Sequence, residues 1–419
     1  MSVAAEMAQA AGSWLRSLSA DQRAQAQYPG PGDGDAERTT WFYTPTDHGG
    51  LPLGQQRPGQ QGLAMRLLAT GLSLAGYAVV ATVMGLENVL DRVESWSRDW
   101  GRERGRDPGL YYFRVFGSPG DGAWGWRCGG HHVSLNYTIA DGRVVSCTPC
   151  FIGAHPAETA LLAGGTLKPL GNIEPIAREL ARDLEQRGQR GVLLHPSAIS
   201  DIVSGNRAQV RDGDEMIHMQ DLWRDRFAED RLSSLVDQID ADAEAASGYG
   251  SADHRTLALT RRPKGIKGGE LSPGEQARLL ELVAGYLGRF PAEIADPWLA
   301  DYRAGGLDDL YFAYAGERAS RGPVYYRLQD QRLLVEYDNT QYRANHAHSV
   351  VRDLSADFGI DPLAGHWRDS HALLHQLPQV RRRDFRRLRL HPWRFVTAYN
   401  TSVHAISRDV SGWRPGNEA

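Results

Sequence analysis

Tyr112-Phe113-Arg114-Val115-Phe116-Gly117 and Tyr311-Phe312-Ala313-Tyr314-Ala315-Gly316 are the two stretches from which the fold is read. Each runs aromatic and aliphatic residues into a glycine, the pattern of a strand that ends in a turn. With the chain laid on itself at this offset of about 200 residues, Trp126-Arg127 falls on Tyr326-Arg327. Val133, Leu135 and Tyr137 fall on Leu333, Val335 and Tyr337 with the alternation intact. Upstream, Arg66-Leu67-Leu68 and Arg278-Leu279-Leu280 share a helical stretch, the second introduced by Ser272 as N-cap and Pro273 in the first turn. Asp141-Gly142 supplies the positive φ of a tight hairpin. Self-similarity at a fixed offset signals a repeated unit. The expected fold is therefore α+β, with two homologous lobes, each helices followed by antiparallel strands, around a central cleft.

The expected domains are an N-terminal lobe over 1–200, a charged linker or insertion over 201–270, a C-terminal lobe over 271–375 and a basic extension over 376–419. Within the linker, 214–265 is dense in charge and carries Gly-Tyr-Gly and Gly-Gly loops, which predicts an exposed insertion. Arg381, Arg382, Arg383, Arg386, Arg387 and Arg389 form a basic run near the C-terminus. It reads as the charged face of a helix or as an anion-binding face.

The chain has 419 residues, 41% hydrophobic and 23% charged, which excludes a disordered or collagen-like protein and predicts a sizeable core. With 47 basic against 51 acidic residues the net charge is −4. No global field then recruits nucleic acid or anionic lipid, so neither partner is expected. Cys128, Cys147 and Cys150 are too few for a disulfide framework and predict buried thiols in a cytoplasmic protein. The N-terminal apolar residues are spaced like a helix face rather than a leader, and Gly71–Leu86 falls short of a bilayer span and reads as buried helix. No phosphate-cradling loop is found, so no nucleotide cofactor is expected.

Trp124-Gly-Trp-Arg-Cys-Gly-Gly-His-His-Val-Ser-Leu-Asn-Tyr137, Glu336-Tyr-Asp-Asn-Thr-Gln341 and Asn345-His-Ala-His-Ser-Val350 resemble the family called domain of unknown function 3500 (DUF3500). Trp41-Phe-Tyr43, Gly50-Leu-Pro-Leu53 and Ala75-Gly-Tyr77 do so as well. The resemblance runs in order from about residue 10 to residue 370. The charged stretch near 214–265 and the Arg-rich C-terminus depart from the pattern. Because the family carries no general function, the resemblance implies kinship alone.

Chemistry has to come from the residues. Strand side chains alternate faces, so the apolar odd positions predict a core face. His132, Asn136, Glu336 and Asp338 then share the polar faces that meet across the expected cleft. His346 and His348 form an H-x-H pair with both imidazoles on one face of an extended segment. His132, His346, His348 and Glu336 are the expected ligands of one divalent transition metal, iron, zinc or manganese. His132, Asp338 and Glu336 are the expected catalytic groups. Arg127, Arg327, Asn136, Asn339 and Trp126 are the expected substrate contacts, with the arginines clamping a carboxylate. The expected function is a metal-dependent enzyme acting on a small molecule, hydrolytic or oxidative. The opposing reading is a metal-free binding or scaffold protein with structural histidines, or a polar pocket in which His348 or His132 is the base.

Overall fold

The computed structural model describes residues 1–360 except 33, 199, 226 and 319–321, all within one compact unit. The fold is mixed α/β, with eleven α-helical segments among the described residues and a large mixed sheet. The strands are β1 (Gln27–Tyr28), β2 (Leu51–Pro52), β3 (Tyr112–Phe116), β4 (Trp124–Gly130), β5 (Val133–Ala140), β6 (Arg143–Ser146) and β7 (Cys150–Ile152). A separate ribbon follows, β8 (Thr159–Ala160) and β9 (Thr166–Leu167). Then come β10 (Leu193–His195), β11 (Ile266–Lys267), β12 (Tyr311–Gly316), β13 (Val324–Gln329), β14 (Leu333–Thr340) and β15 (His346–Asp353). The sheet order is β1-β3-β4-β5-β7-β15-β14-β13-β12-β10, with β2 beside β3, β6 beside β5 and β11 beside β12.

The short strand β7 decides how the halves meet. Phe151 pairs with Ser134 of β5 on one side and with Val350 of β15 on the other. Both inner edges thereby find backbone partners, which removes two exposed strand edges at once. The strands around 133–137 and 333–337 consequently lie in one sheet with β7 and β15 between them, and the cleft expected between them is not formed by their polar faces. Among the described residues, 1–200 and 271–360 contribute strands to the same sheet, and 361–375 of the expected C-terminal lobe lie outside the described residues.

The expected alternation of faces does appear. Val133, Leu135, Tyr137, Leu333, Val335 and Tyr337 all enter the main hydrophobic core. They pack there with residues of the helices Val3–Ser17, Pro58–Thr70, Leu74–Val93, Ile173–Gln186 and Pro273–Leu287, including Trp14, Leu67, Val80, Leu180 and Leu282. Burying each such aliphatic side chain contributes roughly 1.5–3 kcal/mol. Ser272 caps its helix reciprocally: its hydroxyl accepts from Glu275 N at 3.4 Å and its N–H donates to the Glu275 carboxylate at 2.7 Å. Leu74–Val93 is long and apolar enough to cross a membrane by length and composition, yet it is fixed in this core through Val80, Val83 and Met84.

On the opposite face Ser134, Asn136, Glu336 and Asp338 are buried under loops rather than lining open space. Tyr43 stacks on Phe151 with ring centroids 4.1 Å apart, and Arg38 donates to Thr138 at 3.0 Å. The segment 214–265 belongs to this roof. Its helix Asp230–Ser247 buries only Leu232 and Val236, but Leu222, Leu257 and Leu259 are inside. Thr44 Oγ1 donates to the Leu222 carbonyl at 2.7 Å, and Arg327 donates to the Leu257 carbonyl. It is thus seated rather than merely exposed, because its leucines cover the sheet. Cys128, Cys147 and Cys150 are buried free thiols, all pushed up by burial. The basic run from Arg381 and the rest of 376–419 lie outside the described residues.

Candidate metal centre

Two turns at the same end of the sheet build the site. Gly130 pairs with Val133, so His131 and His132 form a two-residue hairpin turn instead of continuing a strand. His132 takes φ 64°, the left-handed region that ordinary side chains avoid at a cost of order 1 kcal/mol or more. Between β14 and β15, Tyr342, Arg343 and Ala344 are all left-handed, with φ of 51°, 60° and 56°. Three such residues in succession are uncommon, since each costs roughly 1–2 kcal/mol. This turn delivers His346 and His348 onto one face at the start of β15.

The three imidazoles converge. His132 Nε2 lies 2.8 Å from His346 Nε2 and 3.2 Å from His348 Nε2. A metal 2.0–2.1 Å from two imidazole nitrogens holds them roughly 2.9–3.4 Å apart at tetrahedral or octahedral angles, so these separations are close to the edges of a coordination polyhedron. A neutral imidazole has one N–H, and that of His348 is directed from Nδ1 to Asp201 Oδ1 at 2.6 Å. Its Nε2 therefore offers a bare lone pair. One N–H on His132 could serve both neighbours only by being shared.

Further side chains fix these rings. Asp201 holds His348 and accepts from the Tyr43 hydroxyl through Oδ2 at 2.8 Å, the carboxylate–histidine arrangement that orients metal-ligating imidazoles. His155 stacks on His346 at 4.3 Å and 13°. His131 stacks against His132 at 3.8 Å, and its Nδ1 lies 2.5 Å from Glu87 Oε1. Arg106 pairs with Glu94 and reaches to 3.4 Å from His131 Nδ1.

Burial holds His131, His132, His155 and His346 well below the usual histidine range, reinforced by mutual repulsion among the rings. They are neutral at physiological pH, which is the ligand form. Burial also pushes Glu87 up to about 8 and raises Asp338 well above the usual carboxylate range, the latter helped by the charge of Asp201. Asp338, Asp201 and His348 place their ligand atoms within 4.8 Å of one another, and so do His131, His132 and His346. The histidines line a cavity of about 70 Å³ whose other wall includes Trp100, Leu222, Trp223 and Tyr342.

Of the residues expected at a metal site, His132, His346 and His348 come together and Glu336 does not. The Glu336 carboxylate accepts from Val203 N at 2.8 Å, Ser204 N at 2.9 Å and Tyr325 Oη at 2.6 Å, so it anchors a loop. Asp338 stands beside His348 in the strand register. The expected substrate contacts have internal roles. Arg127 donates to the Glu37 carboxylate at 2.7 Å and the His48 carbonyl at 2.7 Å. Asn136 donates to the Pro149 carbonyl at 2.9 Å, and Asn339 to Glu174 at 2.8 Å. Trp126 stacks on Tyr137 in the core at 4.5 Å, and Arg327 is fully buried beside Tyr325. Sequence reasoning did not assign Asp201, Tyr43, Glu87 or His155 to the site; they come from separate loops and a helix and carry no shared spacing.

The sequence profile of a family described as Protein of unknown function (DUF3500) matches residues 1–360, and the chain belongs to that family. No curated protein and no solved structure matches the chain.

Proposed function

We propose that this DUF3500 member is a metal-dependent enzyme acting on a small molecule, with a divalent transition metal on the Nε2 atoms of His132, His346 and His348. The convergence of those atoms at 2.8 and 3.2 Å carries the reading. Three imidazoles without a ligating carboxylate suit zinc or iron better than manganese, which favours oxygen donors. Three protein ligands leave positions open for water and substrate. Zinc there would activate water for hydrolysis, and iron would direct the site to oxidative chemistry. Asp201 orients His348, and Tyr43 orients Asp201.

The strand pairings support a duplicated unit behind this site. β1 runs parallel to β3 as β10 runs to β12, β2 pairs β3 as β11 pairs β12, and β3-β4-β5 is an antiparallel meander like β12-β13-β14. Each half then contributes one turn to the site, His132 from the first and His346 from the second. Buried free thiols fit a reducing, cytoplasmic setting.

Metal analysis of untagged protein tests the proposal. One equivalent of zinc or iron is expected in the wild type, and less than a tenth of that in His132→Asn, where asparagine tolerates the left-handed turn. A metal-free wild type that stays so after supplementation would transfer the site to the second reading, in which the 2.8 Å contact is an ordinary N–H···N hydrogen bond between structural histidines.

A further inference from the structure

The cavity beside the three histidines has two unlike ends. One is polar, made by the imidazoles and by Arg106, which is 3% exposed. The other is apolar and aromatic, with Trp100 and Trp223 packed at 5.1 Å between centroids and flanked by Leu222 and Ile239. Its free hydrogen-bonding capacity includes donors at the aromatic end. Among the described residues, the indole N–H groups of Trp100 and Trp223 are buried and meet no acceptor, although Trp223 as a whole is only 7% exposed. Asp201 already accepts from His348 and Tyr43, and Glu94 from both edges of Arg106. A buried donor without an acceptor carries a desolvation cost that a ligand oxygen would relieve.

Deepening the proposed function and resting on it, we infer that the ligand is a small aromatic acid, its ring against Trp100 and Trp223 and its oxygens toward the indole N–H groups and the metal. Flat rings suit a wall of indoles because stacking adds to burial. The carboxylate suits a dication held by neutral donors. Trp223 is a substrate-binding residue in this arrangement, supplying a ring face and one donor.

Isothermal titration of the full chain, loaded with one equivalent of zinc, tests this with benzoate, cyclohexanecarboxylate and acetate. Benzoate is expected to bind at least tenfold more tightly than acetate and severalfold more tightly than cyclohexanecarboxylate. Trp223→Phe, which keeps the ring and removes the N–H, should weaken benzoate about fivefold, and Trp223→Leu more. Benzoate binding no better than acetate, or unchanged in both variants, overturns the inference. Zinc content measured on the same samples separates the two claims. Protein that holds zinc but ignores benzoate refutes the ligand class alone, whereas zinc-free protein that binds benzoate through Trp223 refutes the metal reading and keeps the aromatic site.

Discussion

Two buried aspartates flank His348, and exchanging each for asparagine should separate their roles. Asp201 Oδ1 is 2.6 Å from His348 Nδ1. Adding roughly 2 Å across the ring and roughly 2 Å to the metal puts its charge about 6.5 Å from a dication on Nε2. At an effective dielectric of about 20 the attraction is about 5 kcal/mol, an upper bound because burying the carboxylate opposes it. Losses measured for such supporting carboxylates are about 10–100-fold in metal affinity, or about 1.4–2.7 kcal/mol. Asp201→Asn keeps an acceptor for the imidazole and removes the charge, so zinc affinity should fall within that range.

Asp338→Asn should behave differently. Burial and the neighbouring Asp201 charge hold the Asp338 carboxyl well above its usual range, which opposes its ionisation and leaves less charge to lose than at Asp201. Its replacement should change zinc affinity less than about threefold. The assay is competition with a chromophoric chelator at pH 7.5, with thermal melts run alongside. Equal losses in the two variants, or no loss in Asp201→Asn at unchanged melting temperature, would refute the assignment of Asp201 as the orienting carboxylate.

Glu336→Gln should leave metal content unchanged but lower stability by about 1–3 kcal/mol in denaturant titration, because its amide would face the Ser204 N–H that the carboxylate now accepts. Glu87, raised to about 8 in the fold against 4.5 when free, contributes stability that is present below pH 4.5 and lost as pH climbs to 8. Glu87→Gln should therefore gain on the wild type by at most about 3 kcal/mol between pH 5 and 8, and parallel stability curves would count against it. Deleting 214–265 removes the buried Leu222, Leu257 and Leu259. At roughly 2–5 kcal/mol each this rivals the whole stability of a domain, so calorimetry should show no cooperative transition.

What could be read in the sequence follows the range over which each physical rule acts. Alternation along a strand is local, so the core faces at 133–137 and 333–337 were legible and so was the shared face of His346 and His348. The N-cap at Ser272 was legible for the same reason. Parity fails where a strand stops: His132 was assigned to a strand face, but it occupies a hairpin turn, and its left-handed backbone carries the imidazole toward β15. The sequence around it, Gly129-Gly130-His131-His132, contained the signal, since a paired glycine before two polar residues marks a turn. Glu336 was misplaced by the converse error. A shared face says which side of the sheet a carboxylate leaves from, not whether a loop some 130 residues earlier supplies the N–H groups that claim it.

Register between distant strands lies beyond such rules. Nothing local in Cys150-Phe151-Ile152 says that it pairs with β5 and β15 at once, yet this pairing joins the halves edge to edge and brings His132 to His348 across 216 residues of sequence. The site consequently depends on a backbone contact that contains none of its ligands. Left-handed residues in both turns, at His132 and at 342–344, cost stability that a purely structural role would not need, because glycine or asparagine would hold either turn at lower cost. Keeping side chains at that expense, on two turns whose imidazoles meet within 2.8 Å, is a cost that the proposed metal site would account for.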